Sequence, residues 1–298
     1  MKKNQGPSGF LNINKPRGLT SYDVVRHAKK ALKTKKIGHA GNLDPDATGV
    51  LVLGVGTATR FLSLVMDLPK EYIAEIQLGV LTDTLDAVGQ VLDRKPVPPL
   101  SREQVETVLQ QFKGEIEQIP PSFSAIKIEG KRLYELAREG ILVTPKPKRV
   151  TIYAIELLEM EPDRLKIRVY ASKGTYVRSL ARDIGLKLGT YGIVHSLVRT
   201  RVGHFRLEDS VDLDQDLAQH LIPTDKGLSH LPQVYLRDVA VRHFIRGSRV
   251  STSGIVRRSG YIRSFQLVRV YDEEERFLGV GVLKWEGLYP KRLLPVDA

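Results

Sequence analysis

Alternating and helical patterns of apolar residues predict most elements of this chain. The clearest alternation covers residues 71–78, where every second residue from Tyr72 to Leu78 is apolar, as in a half-buried strand. Residues 50–55 form a continuous apolar run, which predicts a buried strand. Further strands are predicted at residues 9–13, 150–160, 165–172, 266–271 and 277–283.

Helices are predicted where apolar residues recur every three or four positions behind a capping residue. Thr20 or Ser21 caps the first, and a Ser-Arg-Glu-Gln capping box at residues 101–104 begins a second that ends at Gly114. Two others are predicted at residues 131–139 and 176–188, each followed by glycine. Strands and helices are interspersed without regular βαβ alternation. The pattern therefore favours the α+β class, with a mainly antiparallel mixed sheet flanked by helices.

The pattern of predicted elements changes near Leu231 and Pro232. Beyond this point come short strand-like segments separated by glycine and charged turns. We therefore predict two domains, a large one at 1–231 and a small β-rich one at 232–298.

Composition narrows the class of protein. Of the 298 residues, 42% are hydrophobic and 27% are charged, which is typical of a globular chain. The absence of any long apolar run predicts no membrane span, and the basic N-terminus lacks the apolar segment of a secretory signal. With no cysteine, disulfides, thiolate metal sites and cysteine nucleophiles are excluded, and we expect a cytoplasmic protein.

The net charge of +12 is unevenly distributed. Residues 1–40 hold ten Lys and Arg against the single acid Asp23, and residues 237–269 hold eight Arg against Asp238. Such stretches attract a polyanion, although a solubilising surface has the same composition. Nucleic acid is favoured over a membrane surface, because no long amphipathic helix carries the charge.

Residues 38–49 contain the strongest candidate for chemistry. This segment, GHAGNLDPDATG, has three glycines and little periodicity, which predicts a structured loop. Asp44 precedes a proline, so its backbone is biased away from the helical region. Such a loop can present a carboxylate, but Asp-Pro is also an ordinary turn signal.

Six blocks of the chain together resemble the TruB family of pseudouridine synthases. They are the loop GHAGNLDPDATG at 38–49, KPRGLTS at 15–21, KEY at 70–72, TDTLDAVG at 82–89, PSFSAIKIEGKRLYELAREG at 121–140 and GTYVRSL at 174–180. Members break the bond between ribose and uracil N1, rotate the base and rejoin it at C5. The resemblance therefore implies an enzyme that needs no cofactor and no metal.

The resemblance also implies roles for three residues. Asp44 is the expected nucleophile, and whether it attacks the ribose or the base is left open. Arg178 is expected to pair with Asp44 and hold it as an anion. Tyr72 is expected to stack on the flipped target base, with proton transfer as a second possible role. Each residue also has a simpler explanation: Asp44 as the carboxylate of an ordinary turn, Arg178 as a surface arginine and Tyr72 as a core tyrosine.

Further residues match the family pattern less directly. Tyr176 and Leu197 are expected to line the pocket, His39 to contact the tRNA loop and Lys15 to support the core beneath the site. Two departures lie beside Asp44. Asn42 and Asp46 stand where the family often has small or apolar residues, and the charge of Asp46 is expected to raise the pKa of Asp44 slightly.

The implied substrate is tRNA, modified at position 55 in the T loop. The domain at 1–231 would be catalytic, with a tRNA-binding insertion at about 124–148 that closes over the T arm. The domain at 232–298 resembles a PUA β-barrel, and its arginines would contact acceptor-stem phosphates. We expect a monomer that acts without guide RNA or protein partner.

Three alternatives remain at this point. Guide-RNA-dependent synthases share the catalytic blocks but lack the basic insertion. An RNA-binding or RNA-folding protein without catalysis is expected to lack Asp44 or Arg178, and both are present. A metal hydrolase is the weakest alternative, because the seven histidines show no paired ligand spacing.

Overall fold

A computed structural model describes residues 6–124, 127–128, 131–133, 141, 143 and 145–295. Its helices are α1 (Ser21–Ala31), α2 (Leu62–Met66), α3 (Arg102–Gln110), α4 (Val177–Lys187) and α5 (Asp238–Ile245). Capping boxes begin α1 at Thr20 and α3 at Ser101, where each hydroxyl accepts a backbone N–H three residues later.

Eighteen strands are assigned within the described part of the chain. They are β1 (Gly9–Lys15), β2 (Ile37–His39), β3 (Thr48–Val55), β4 (Lys70–Leu78), β5 (Val80–Thr82), β6 (Val91–Arg94), β7 (Gly114–Gln118), β8 (Lys127–Ile128), β9 (Lys131–Arg132), β10 (Lys148–Met160), β11 (Arg164–Ala171), β12 (Gly192–Val202), β13 (Phe205–Arg206), β14 (Gln233–Leu236), β15 (Ile255–Arg258), β16 (Gln266–Asp272), β17 (Phe277–Lys284) and β18 (Gly287–Leu293).

The main sheet has nine strands in the order β1-β3-β12-β4-β11-β10-β7, with β2 paired to β3 and β13 to β12. Every pairing in it is antiparallel except β3 with β12. The predicted α+β class with a mainly antiparallel sheet is confirmed. Apolar side chains from β4, β10 and β11 form the main core with α3 and α4.

Most predicted elements are confirmed, with ends shifted by a few residues. One prediction is wrong at its start, because residues 131–132 form strand β9 against β8 instead of beginning a helix. The rest of that predicted helix, residues 134–139, lies outside the described residues, as does much of the predicted insertion at 124–148. Strand β12 was not predicted, although it lies at the centre of the sheet.

A second sheet of five strands, in the order β15-β14-β16-β17-β18, is built from residues 233–293. It has its own core with Phe244 of α5, yet it shares a cluster with the first sheet, where Val280 and Phe277 pack near Phe61. Arg269 also crosses the junction, since its Nε donates to the carbonyl of Leu231 at 2.9 Å. The two sheets are therefore joined by packed side chains.

Candidate active site

The loop that carries Asp44 connects β2 to β3 and is held by α1 and β1. The N–H of Leu43 donates to Ser21 Oγ at 2.9 Å, and that hydroxyl donates to the Leu43 carbonyl at 3.1 Å. On the other side of Asp44, the Pro45 carbonyl accepts from Lys15 Nζ at 3.0 Å and from the Gly18 N–H at 2.9 Å. Both neighbours of Asp44 are thus bound to the segment that runs from the end of β1 to the start of α1.

Arg178 meets Asp44 from the first turn of α4. Its Nε lies 3.0 Å from Asp44 Oδ2, and its side chain is 9% exposed against 37% for Asp44. The other guanidinium nitrogens donate to the carbonyls of Thr84 and Phe123, each at 2.9 Å. Arg178 is therefore fixed from several directions, while Asp44 remains accessible from one side.

The turn at residues 82–89 supplies two of the groups that fix Arg178. Besides the Thr84 carbonyl, Asp86 Oδ2 lies 3.6 Å from Arg178 Nη1. The turn is closed by Thr82 Oγ1, which donates to the Asp86 carbonyl at 2.8 Å. The turn packs closely at Gly89, where a Cβ would displace the side chains of Thr84 and Asp83. The motif thus builds a rigid second support for the arginine.

A cavity of about 520 Å³ opens above the Asp44–Arg178 pair. Tyr72, Tyr176 and Leu197 all line it. Tyr72 is 9% exposed, so its ring belongs to the wall as well as to the core of β4. Burial raises the pKa of Tyr176. Pockets that bind small ligands generally have volumes of about 300–1,000 Å³, and this cavity falls within that range.

Tyr176 is held at the cavity by its backbone. Its N–H donates to Gln118 Oε1 at 2.8 Å, and Gln118 Nε2 donates back to the Tyr176 carbonyl at 3.0 Å. Gln118 ends β7 and is 1% exposed. This paired contact orients the start of α4, and with it both Tyr176 and Arg178.

Two of the predicted site residues do not line the cavity. His39 lies on β2, where burial lowers its pKa. Lys15 is fully buried under the Asp44 loop and donates to the carbonyls of Pro16, Leu19 and Pro45. Burial lowers the pKa of Lys15 to about 8, against the opposing attraction of Asp44. In this structure Lys15 therefore supports the backbone of the Asp44 loop from below by hydrogen bonding to its Pro45 carbonyl.

Two buried basic residues at the cavity were not predicted from the sequence as site residues. Arg199 on β12 is 2% exposed, and its Nε donates to the Val50 carbonyl at 2.7 Å. Lys70, 6% exposed at the start of β4, donates to the Leu68 carbonyl at 2.6 Å, and burial lowers its pKa to about 8. Lys70 was visible in the KEY block, whereas no local pattern marks Arg199 as buried.

The two departures from the family pattern have different surroundings. The carbonyl of Asn42 accepts from Arg199 Nη1 at 3.0 Å, an interaction that does not depend on the side chain at position 42. Asp46 lies 3.4 Å from Arg17 Nε in an exposed ion pair. Its charge therefore has a cationic neighbour other than Arg178.

Basic side chains also stand at the edge of the cavity. Lys148, Arg149 and Lys173 line it, and Lys173 Nζ lies 2.7 Å from Asp67. Among the described residues, no cluster of His, Asp and Glu has the arrangement of a metal site. No helix in the described ranges is long and apolar enough to cross a membrane.

Comparison with family models gives a consistent result along the chain. Residues 29–177 match the model described as TruB family pseudouridylate synthase (N terminal domain). Residues 178–241 match that of the tRNA pseudouridylate synthase B C-terminal domain, and residues 232–294 match pseudouridine synthase II TruB, C-terminal. Together these models account for nearly all of the chain.

Individual relatives agree with the models. The chain is 41% identical over 280 residues to tRNA pseudouridine synthase B of Clostridium kluyveri, covering 93% of this chain and 96% of the relative. It is 43% identical over 288 residues to the protein of that name from Caldanaerobacter subterraneus, covering 96% and 98%.

Solved structures show a similar fold at lower identity. An H/ACA RNP bound to a substrate RNA containing 2'-deoxyuridine has a chain 26% identical to this one, with a TM-score of 0.76, covering 97% of this chain and 86% of that chain. A Cbf5-Nop10-Gar1 complex matches at 27% identity and a TM-score of 0.75, covering 96% and 84%.

Proposed function

The chain belongs to the TruB family of pseudouridylate synthases, and we propose that it isomerises the uridine at position 55 in the T loop of tRNA. In this reaction the bond from ribose C1′ to uracil N1 breaks and a bond from C1′ to C5 forms. The proton on C5 leaves and N1 gains one, so the atoms of the substrate are only rearranged.

The observation that carries the proposal is the ion pair of Arg178 with Asp44 beneath a cavity. Arg178 Nε contacts one carboxylate oxygen of Asp44, Oδ2, at 3.0 Å. The Asp44 side chain is 37% exposed, so the carboxylate remains accessible. A carboxylate held as an anion is a competent nucleophile. We assign Asp44 to nucleophilic attack on ribose or base, and Arg178 to holding it ionised and oriented.

The cavity walls suit a flipped pyrimidine. Tyr72 offers an aromatic ring to stack on the base, and Tyr176 and Leu197 supply further wall surface. An enzyme acting on a base in RNA must remove that base from its stack, which costs less in a loop than in a duplex. His39, outside the cavity, is assigned to the flanking nucleotides of the loop.

The remaining assignments concern how tRNA is held. We assign residues 1–231 to catalysis and the T arm, and residues 232–298 to a PUA-like module that contacts the acceptor stem. The eight arginines of residues 237–269 support this, because they provide charge for phosphates without reading sequence. A monomer without protein partner is the simplest acting form.

A guide-dependent mode is the competing function, since the similar solved structures include an H/ACA RNP. The relatives named tRNA pseudouridine synthase B are 41–43% identical over nearly their whole length, against 26–27% for the two solved structures. The comparison therefore favours the stand-alone tRNA reaction.

The test uses the purified full chain and a T-arm hairpin carrying tritium at uridine C5. Tritium release is expected in EDTA, without nucleotide triphosphate, guide RNA or another protein. A hairpin labelled at every uridine except the one at position 55 should release none. Mass alone cannot report the reaction, because uridine and pseudouridine are isomers. Activity that appears only with a guide RNA or added protein would assign this chain to the guided class.

A further inference from the structure

Arg199 connects the two ends of the loop that carries Asp44. Its Nε donates to the carbonyl of Val50 at 2.7 Å, and its Nη1 donates to the carbonyl of Asn42 at 3.0 Å. Asn42 precedes Asp44 by two residues, and Val50 follows it in β3. One guanidinium thus binds the chain before and after the carboxylate.

The backbone at Arg199 is close enough to do this because of Gly49. The parallel pairing of β3 with β12 consists of two residue pairs, Val198 with Thr48 and Arg199 with Gly49. A Cβ on Gly49 would lie 2.3 Å from the Arg199 carbonyl oxygen, so only glycine permits this approach. The guanidinium contacts therefore reinforce the only parallel pairing among the described strands of the main sheet.

Arg199 also lies opposite Tyr72. In the antiparallel pairing of β12 with β4, these two residues are partners in the register. The strand that carries the proposed stacking ring is thus directly beside the residue that binds the Asp44 loop. A shift at Arg199 would change the distance between the nucleophile and the base platform.

We propose that Arg199 is a positioning residue, which holds the Asp44 loop in register with Tyr72 and acts on the reaction without touching the substrate. The proposal rests on the function proposed above. Arginine suits the role because its planar fork reaches two acceptors at once, whereas an ammonium on a flexible chain is a point charge. A buried guanidinium needs acceptors wherever it lies, and here both acceptors are carbonyls of the segment that carries Asp44, one on each side of the carboxylate.

A competing explanation is direct contact with RNA. The Nη2 atom of Arg199 is buried and has no acceptor among the described residues, and the side chain lines the cavity. A substrate oxygen could serve as that acceptor. The two explanations differ in what they predict for binding, because a phosphate contact contributes to affinity and to its salt dependence.

The experiment compares Arg199→Lys with wild type on the T-arm hairpin. We expect kcat to fall by about 100-fold, which is the cost of a misplacement of about 1 Å in a catalytic group. The Kd for the hairpin and its salt slope should remain unchanged. The matched control is Arg168→Lys on β11, whose side chain is 46% exposed and pairs with Glu156 at the surface. A higher Kd with unchanged kcat would overturn the proposal in favour of RNA contact.

A second variant separates positioning from simple loss of folding. For Arg199→Ala, added guanidinium ion at concentrations too low to denature the protein should restore kcat at least tenfold, while sodium at equal ionic strength should not. A loss of kcat that only follows the unfolded fraction, without rescue, would overturn the proposal.

A crystal structure of Arg199→Lys gives an answer that does not require activity. The carboxylate of Asp44 should be displaced relative to Tyr72 by more than about 0.5 Å, the tolerance of a productive site. An unmoved Asp44 would refute the positioning role. A wild-type enzyme inactive on the hairpin would instead refute the function proposed above.

Discussion

Arg178 and Asp44 form an ion pair in which the two partners are unequally fixed. The arginine is 9% exposed and also donates to the carbonyls of Thr84 and Phe123, whereas the aspartate is 37% exposed. The pair therefore has a rigid cation and an accessible anion. A substitution of Asp44 should remove the nucleophile, whereas a substitution of Arg178 should remove the group that fixes it.

Replacement of Asp44 by Asn should abolish product formation while leaving RNA affinity nearly unchanged. The amide keeps the shape of the side chain but is not a nucleophile. Tritium release measures the first effect and filter binding the second. Asp46→Asn on the same loop is the matched control, since its partner is the exposed Arg17. Turnover of Asp44→Asn within tenfold of wild type would remove Asp44 from its assigned role.

Replacement of Arg178 by Lys should lower kcat by about 100-fold or more, the range seen for loss of one catalytic hydrogen-bond donor. An ammonium cannot contact Asp44 and the two carbonyls in the same geometry. Arg182→Lys, one turn later in α4 and paired with Asp183, provides the comparison. If both variants retain near-normal rates, the Arg178 pair is not used in the reaction.

Gly49 and Gly41 allow strain and steric overlap to be separated. Both have positive φ, at 99° and 113°, but a Cβ on Gly41 meets nothing within 4 Å, whereas one on Gly49 meets the Arg199 carbonyl at 2.3 Å. Gly41→Ala should lower the free energy of unfolding by about 1 kcal/mol through strain alone. Gly49→Ala should lower it by about 2–4 kcal/mol. If urea unfolding gives the same decrease for both variants, β12 can move away from the added Cβ without loss of stability.

Lys15 should make stability depend on pH. Its folded pKa is lowered from 10.5 to about 8, so between these values the unfolded chain holds a proton that the folded protein has released. The free energy of unfolding should therefore rise with pH across this window, by up to about 1.4 kcal/mol per pH unit from this group. The test is the difference between wild type and Lys15→Met, in which this contribution is absent. Identical slopes for the two proteins between pH 8 and 10 would contradict the assignment.

The arginines of the second sheet should contribute to binding of full-length tRNA. Arg246 and Arg249 are exposed after α5. Replacing both by Gln should weaken the affinity and reduce the log–log salt slope by about 0.7–0.9 for each phosphate that the protein no longer neutralises. Affinity for the T-arm hairpin should stay constant. An equal decrease in affinity for both RNAs would indicate that the change acts on residues 1–231 and not on contacts to the acceptor stem.

The sequence predicted those parts of the fold that depend on local pattern. The alternation from Tyr72 to Leu78 and the capping box at Ser101 appear where expected, and of the two caps predicted for α1 the structure has Thr20. Burial of one face and satisfaction of free N–H groups are local properties, which is why the sequence could predict them. The prediction of a helix at 131–139 was wrong at its first two residues, which form β9 and pair with β8.

The site was only partly predictable for a similar reason. Asp44 and Arg178 are found through motifs, but their 3.0 Å contact requires α4 to meet the β2–β3 loop. Arg199 could not be found this way, because arginine usually indicates an exposed position. Its burial follows from the parallel approach of β12 to Gly49, a contact between residues 150 positions apart in the chain.

Shared packing between the two sheets restricts how this enzyme could be rebuilt. Phe61 of the first unit lies 5.8 Å, ring to ring, from Phe277 of the second, and Arg60 donates to the Leu293 carbonyl at 3.1 Å. Removing residues 233–298 would expose that apolar surface to water. The C-terminal sheet therefore cannot be exchanged independently of the residues that it packs against. A chimera that takes it from a relative must also take the matching side chains around Phe61.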